Sequence, residues 1–289
     1  SFTAKAFDAQ NNNSTSTPTL VLVTTPSSGD TYASPTGIDT GNNSCSQAAP
    51  CLTIAKAALL AQATKTVWLN NGNYTSVTQP ALINFPAGLT LRALTPGLAQ
   101  VSRGIVLQGS ATVVGVVIGR VGLFDTGFIA ASSGTVVLDG VKVVGSAFTG
   151  GGLNAAITLS GTVQATMTPG NIADYADQLT PVGQGAAAYA TLADSARLNA
   201  NGGVFGGAAL GGSANLYGPS GAFTLTGSSR LDINNAVVGV DSYGVVMKGN
   251  AMQLNMTGSV LSSNANSGFG GGVFAAAAEC MGVIMCGVP

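Results

Sequence analysis

Short apolar runs separated by tight polar bends fill the chain from residue 105 to about residue 274. They fall at 105–107, 113–118, 135–138, 141–144, 156–159 and 165–167, then at 223–225, 231–233, 237–240, 244–247, 252–256 and 259–261. Gly, Ser, Asn and Asp stand between them. Each run is too brief for a helix and long enough for a strand with one or two inward side chains. Short strands at a loose period of about twenty residues are the mark of a solenoid, in which each coil stacks on the last. Strands so stacked pair in parallel and leave open backbone edges only at the two ends. At about 4.8 Å per coil, eight or nine coils make a rod about 40 Å long. The competing architecture, a β-sandwich, needs longer strands and a hairpin turn roughly every 8–12 residues.

One segment has the helical period. Ile54, Ala57, Ala58 and Ala61 fall on one apolar face, and the Thr53 hydroxyl can cap the first turn. Val67, Trp68 and Leu69 then read as a strand, and Asn70-Asn71-Gly72 as a turn. A lone amphipathic helix ahead of nothing but strands predicts a lid over the end of a β structure, with Trp68 buried beneath it. Two stretches break the coil rhythm. Residues 168–200, with helix-like spacing at 172–179 and 186–197, predict an excursion loop or side lobe. The Gly-Gly pairs of 202–219 predict a flexible coil or wide turn. The apolar end, 268–289, predicts a second lid, because a solenoid needs its last coil covered.

Gly37-Ile38-Asp39, then Pro50-Cys51-Leu52-Thr53-Ile54-Ala55-Lys56-Ala57, then a strand and Gly72-Asn73-Tyr74, resemble the opening segment of bacterial pectate-lyase-like right-handed β-helix proteins. In particular the segment is similar to an uncharacterised bacterial surface-protein domain of that class, over roughly residues 30–95. The resemblance implies an all-β fold, a right-handed parallel β-helix. It implies no particular activity, because that class mixes enzymes with adhesive and structural proteins. Residues 1–25 are different. Phe2, Ala4 and Ala6 alternate with polar neighbours, residues 8–13 form a turn, and Leu20, Val21 and Leu22 make a second strand-like run. This resembles the closing hairpin of a bacterial immunoglobulin-like domain. A hairpin alone is marginal in water, so these strands either need partners upstream or on another molecule, or stay a disordered tail. The expected organisation is Ig-like strands at 1–25, a Pro/Ser/Thr/Gly linker at 26–36, and a parallel β-helix at 37–289. Within the helix, 37–74 is the lid and 268–289 the C-terminal cap.

Composition sharpens the setting. Only 7% of the 289 residues are charged and the formal net charge is −1, against about a quarter charged in ordinary domains. No basic field exists for nucleic acid or an anionic membrane, and no apolar run is long enough for a membrane span. The chain starts at Ser1 with no signal-peptide pattern, as a processed form or a piece of something longer would. The four cysteines fall as two close pairs, Cys45/Cys51 and Cys280/Cys286. Two Cys per site and no His make a poor zinc site. Two local disulfides and an oxidising, extracellular compartment are the expectation; free thiols are the alternative.

The absence of His removes the commonest general base, Ser and Cys triads, and imidazole metal sites. The Asp cluster with a His used by polygalacturonase relatives cannot be built. Pectate lyases hold Ca²⁺ on several Asp beside an Arg base; Asp125, Asp139, Asp232 and Asp241 with Arg120 or Arg230 are the residues that could do so here. Isolated Asp at a bend is more often a turn residue, so the expectation is no enzyme. No cofactor is expected. Asp174 with Asp177, and Asp39 with Asn42 and Asn43, are weak Ca²⁺ candidates; a solvated helix face and Asx-turns explain them as well. Thr166/Thr168 and Thr224/Thr226 fall short of the regular rank an ice-binding face needs. Asn12, Asn13, Asn42, Asn73 and Asn255 each open a glycosylation sequon.

These features converge on an extracellular structural protein, a self-assembling subunit or module of a cell-surface filament, sheath or surface layer, with an adhesive role in reach. Its partners would be further copies or neighbouring surface subunits, joined through Phe2, Ala4, Ala6, Leu20 and Leu22, and glycans. The alternative is a carbohydrate-binding or polysaccharide-lyase-type β-helix protein.

Overall fold

A computed structural model describes residues 5–7, 13–15, 25–75, 77–119, 127–143, 155–168, 188–206, 221–240, 243–249, 251–261 and 273–276. Two short strands come first, β1 (Lys5–Phe7) and β2 (Asn13–Thr15), paired antiparallel. Then follow β3 (Thr31–Ala33) and the single described helix, α1 (Ile54–Leu60). The rest is strands taken in rotation. The first turn holds β4 (Thr66–Leu69), β5 (Gly72–Tyr74) and β6 (Ile83–Phe85). Next come β7 (Thr90–Ala93), β8 (Ala99–Val101) and β9 (Gly104–Leu107), then β10 (Ala111–Val114), β11 (Val117–Ile118) and β12 (Phe128–Ala131). They continue as β13 (Thr135–Asp139), β14 (Lys142–Val143), β15 (Ala155–Leu159), β16 (Gln164–Thr168), β17 (Ala188–Leu192), β18 (Arg197–Asn201) and β19 (Val204–Gly206). The last are β20 (Gly221–Thr226), β21 (Arg230–Asn234), β22 (Val237–Val240), β23 (Tyr243–Lys248), β24 (Gln253–Thr257), β25 (Val260–Leu261) and β26 (Val273–Ala276).

Successive turns stack in parallel. β3, β4, β7, β10, β13, β16, β18, β21 and β24 form a nine-stranded sheet in that order, and β6, β9, β12, β15, β17, β20, β23 and β26 an eight-stranded one. Shorter sheets, β5-β8-β11-β14 and β19-β22-β25, complete the turns. The described chain is thus all-β, with the long parallel sheets of a β-solenoid. The nine strands span eight spacings, about 38 Å at the usual separation.

Alternation decides which side chains the stack buries. In the nine-stranded sheet Val67, Leu91, Val113, Leu138, Met167, Ala200 and Ile233 make one inward column, each level with the next; all are buried. In the eight-stranded sheet Ile83, Ile105, Ile129, Ile157, Ala190, Phe223 and Val245 do the same. Ala190 lies level with Phe223, a small residue beside a large one. A fully buried aliphatic or aromatic side chain contributes roughly 1.5–3 kcal/mol, so the ladders hold the coils together. A one-residue slip would turn each ladder outward, which fixes the register.

The start of the stack is closed by the segment between β3 and β4. In α1, Ile54, Ala57 and Ala58 are buried, and the helix packs on β3, β4 and β6. The Thr53 hydroxyl accepts from Lys56 N, as the sequence predicts. The free edge of β3 pairs with the loop that follows it: Tyr32 N donates to Cys45 O, Cys51 N to Tyr32 O, and Ser34 N to Cys51 O. A disulfide joins Cys45 to Cys51 with Cα atoms 4.8 Å apart. Cys280 and Cys286 lie outside the described residues.

Several expectations need correction. The run 113–118 is two strands, because Gly115 takes a left-handed turn (φ 65°) between Val114 and Val116. Residues 188–197 are strand and bend rather than helix. Ala190 and Leu192 alternate into the core, and the stack overrides the helix preference of Ala. Trp68 is buried, but on the sheet's outer side, opposite Val67 and Leu69; its indole N–H donates to Asp30 Oδ2 at 3.0 Å and Arg92 lies over the ring. Within the apolar end, residues 273–276 pair with β23 as one more strand of the stack; the rest of 268–289, where the second lid is expected, lies outside the described residues. In β1, Ala6 lies level with Ser14; Phe2, Ala4, Leu20 and Leu22 lie outside the described residues.

Candidate functional site

The outer face of the nine-stranded sheet becomes wholly polar over β18, β21 and β24. Three pentapeptides build it: Arg197-Leu198-Asn199-Ala200-Asn201, Arg230-Leu231-Asp232-Ile233-Asn234 and Gln253-Leu254-Asn255-Met256-Thr257. They pair residue for residue. Leu198, Leu231, Ala200 and Ile233 point into the core, so the first, third and fifth positions of each peptide point out. The result is a grid of guanidinium, carboxylate, amide and hydroxyl groups, about 4.8 Å apart across strands.

Hydrogen bonds fix much of this grid. Arg230 grips Asp232 with two bonds, Nε to Oδ2 at 2.8 Å and an Nη2 contact to Oδ1 at 2.9 Å. Asn255 Nδ2 donates to the same Oδ1 at 2.6 Å. These donors, the Arg230 bond first, hold the Asp232 carboxyl below the usual carboxylate range, against the opposing effect of its partial burial. Asn234 Nδ2 donates to Asn199 Oδ1 and to Asn201 Oδ1, both at 3.0 Å. Among the described residues, the amide nitrogens of Asn199 and Asn201 and the amide oxygens of Asn234 and Asn255 have no partner. The array can therefore both donate and accept, from side chains already held in place.

The residues singled out from sequence are scattered by comparison. Asp139 lies on β13, three strand spacings or roughly 14 Å from β21, the strand of Asp232; it accepts from the Thr168 hydroxyl at 2.6 Å. Asp125, Asp241, Arg120, Asp174 and Asp177 lie outside the described residues. Asp39 accepts from Leu52 N, Thr53 N and the Thr53 hydroxyl, tying the loop to the start of α1. Asn42 uses its oxygen on Ser44 N and Cys45 N, an Asx-turn. Among the described residues no group of three or more His, Cys, Asp or Glu could hold a metal ion, and no helix is long and apolar enough to cross a membrane. Thr166 and Thr168 stand on the nine-stranded sheet, Thr224 and Thr226 on the eight-stranded one, so the two Thr pairs share no rank.

The array went unnoticed in the sequence although its signal was there. Arg/Gln-Leu-Asn/Asp-x-Asn/Thr occurs three times, each copy following a short bend. The first two copies lie farther apart than the last two, which hides the repeat from a search at fixed period. No known protein family, curated protein or solved structure matches the chain. The pectate-lyase-like and Ig-like resemblances rest on the residues quoted for them.

Proposed function

We propose that this chain is an extracellular structural module of a cell-surface assembly, a right-handed β-helix closed at one end by the α1 segment. The observation that carries the reading is the stack itself: long in-register parallel sheets in a chain of net charge −1. Such a body is stiff, and few like charges oppose packing of one copy beside another. Connections between parallel strands are right-handed in about 98% of cases, which supports the handedness. The Cys45–Cys51 disulfide supports an oxidising compartment. Residues 1–25 would join neighbours by strand addition, and head-to-tail contacts that do not close a ring give filaments. Sedimentation velocity over a range of concentrations tests this. The intact chain is expected to form higher species, and a variant lacking residues 1–25 to remain monomeric. An intact chain that stays monomeric at high concentration contradicts the proposal.

A further inference from the structure

We propose that the outer face of β18, β21 and β24 binds a neutral glycan. Charge selects the ligand class. The carboxylate at the middle of the array, Asp232, is neutralised by Arg230 through two bonds, so the pair offers an anionic polymer no net attraction. Arg197 alone adds a positive charge at one side, too little to hold a polyanion. What the array offers instead is mixed hydrogen bonding: N–H ends at Asn199 and Asn201, and C=O ends at Asn234 and Asn255, that have no partner among the described residues. Hydroxyl groups both donate and accept, so a hydroxyl-rich chain lying flat over the sheet meets a partner at each position. A surface of donors alone would suit phosphate or sulfate, and this is not one.

Order is the second argument. A free Asn or Gln side chain loses rotamer entropy when it grips a ligand. Here Asn234 is held by two neighbours and Asn255 by Asp232, so part of that loss has already occurred on folding. The three repeated pentapeptides set like groups level on successive strands. A ligand that repeats along its own length can use all three at once, which a small isolated sugar cannot.

Pull-down of the intact chain on cellulose, chitin, xylan and mannan, with polygalacturonate as the acidic polymer, tests the proposal. Retention on at least one neutral polymer is expected, unchanged by a chelator and little affected by salt. Asn199→Ala with Asn234→Ala should weaken that retention about tenfold or more, from hydrogen bonds lost on both sides. Thr90→Ala with Thr112→Ala, on the same sheet outside the array, should leave it unchanged. If the first pair lowers the melting temperature, Asn199→Ala with Asn255→Ala, both exposed, carries the test instead. Failure to bind any of the neutral polymers, preference for polygalacturonate, or equal binding by the folded array variants would overturn the proposal. Its fate is separate from that of the assembly reading: a monomer that binds a neutral glycan sinks only the latter, and a filament that binds none sinks only this one.

Discussion

Removing the Cys45–Cys51 disulfide tests how the first edge of the stack is closed. In the chain-entropy view, a cross-link over a sequence separation of 6 restricts the unfolded chain by about 2 kcal/mol. The consequence for the folded state is larger if the loop leaves. Three backbone bonds link β3 and its following residue to the half-cystines: Tyr32 N to Cys45 O, Cys51 N to Tyr32 O, and Ser34 N to Cys51 O. At about 1 kcal/mol net for each, their loss would bring the total to about 5 kcal/mol. It would also bare a strand edge that invites pairing with another chain. Urea unfolding of a Cys45→Ala/Cys51→Ala variant, followed through the fluorescence of Trp68, separates the cases, because Trp68 is the single tryptophan and lies level with Tyr32 of β3. A loss near 2 kcal/mol with unchanged oligomeric state means that the loop stays. A loss near 5 kcal/mol with concentration-dependent association means that it leaves. An unchanged midpoint would refute the reasoning, since the cross-link would then neither restrict the unfolded chain nor hold the loop against β3.

Other outcomes follow from the same geometry. Leu138→Ala should cost about 2–5 kcal/mol, the range for a truncated core leucine, because Leu138 is fully buried between Val113 and Met167; chemical denaturation measures it, and a loss under 1 kcal/mol would contradict the packing. Gly161→Ala should destabilise by at least about 1–2 kcal/mol, since its φ is +58° and a Cβ would run into the Ser132 carbonyl; a neutral melting temperature would contradict this. Acid should loosen the junction at Asp30. Burial tends to raise that carboxyl, but bonds from Trp68, Ser27 and Thr66 outweigh it and lower its pKa. A depressed carboxylate stabilises above its unfolded value, near 3.9, and that contribution disappears as pH falls through the folded value. A shift in Trp68 emission over that acid range is therefore expected, and Asp30→Asn should abolish it; an identical titration in the variant would refute the assignment.

Much of the fold was legible because the coil strands carry their own signal. Ile105 with Leu107, and Leu231 with Ile233, show period-two burial, and Thr53 with Ile54, Ala57 and Ala58 announces a capped helix. What stayed hidden depends on stacking. Val67-Trp68-Leu69 is an unbroken apolar run, so nothing local says that Trp68 faces outward to Asp30. The Ala-rich stretch at 186–197 carries helix propensity, and only its neighbours β15 and β20 make residues 188–192 a strand. The polar array depends on register above all: Asn199, Asp232 and Asn255 become neighbours only once the unequal coil lengths are known. Asp39 looked like a turn residue or a calcium ligand, because its partners Leu52 and Thr53 lie well beyond a local turn.

The central claim is that the coils stack in parallel and in this register. Thr166 on β16 and Asn199 on β18 lie directly level on the outer face, at a strand separation of about 4.8 Å that falls within the reach of a disulfide. Thr166→Cys with Asn199→Cys should therefore close an intramolecular bridge on mild oxidation, identified by peptide mass mapping. Thr166→Cys with Ala200→Cys, whose side chains lie on opposite faces, should not. Bridge formation in the second pair and not the first, or in neither, would contradict the account.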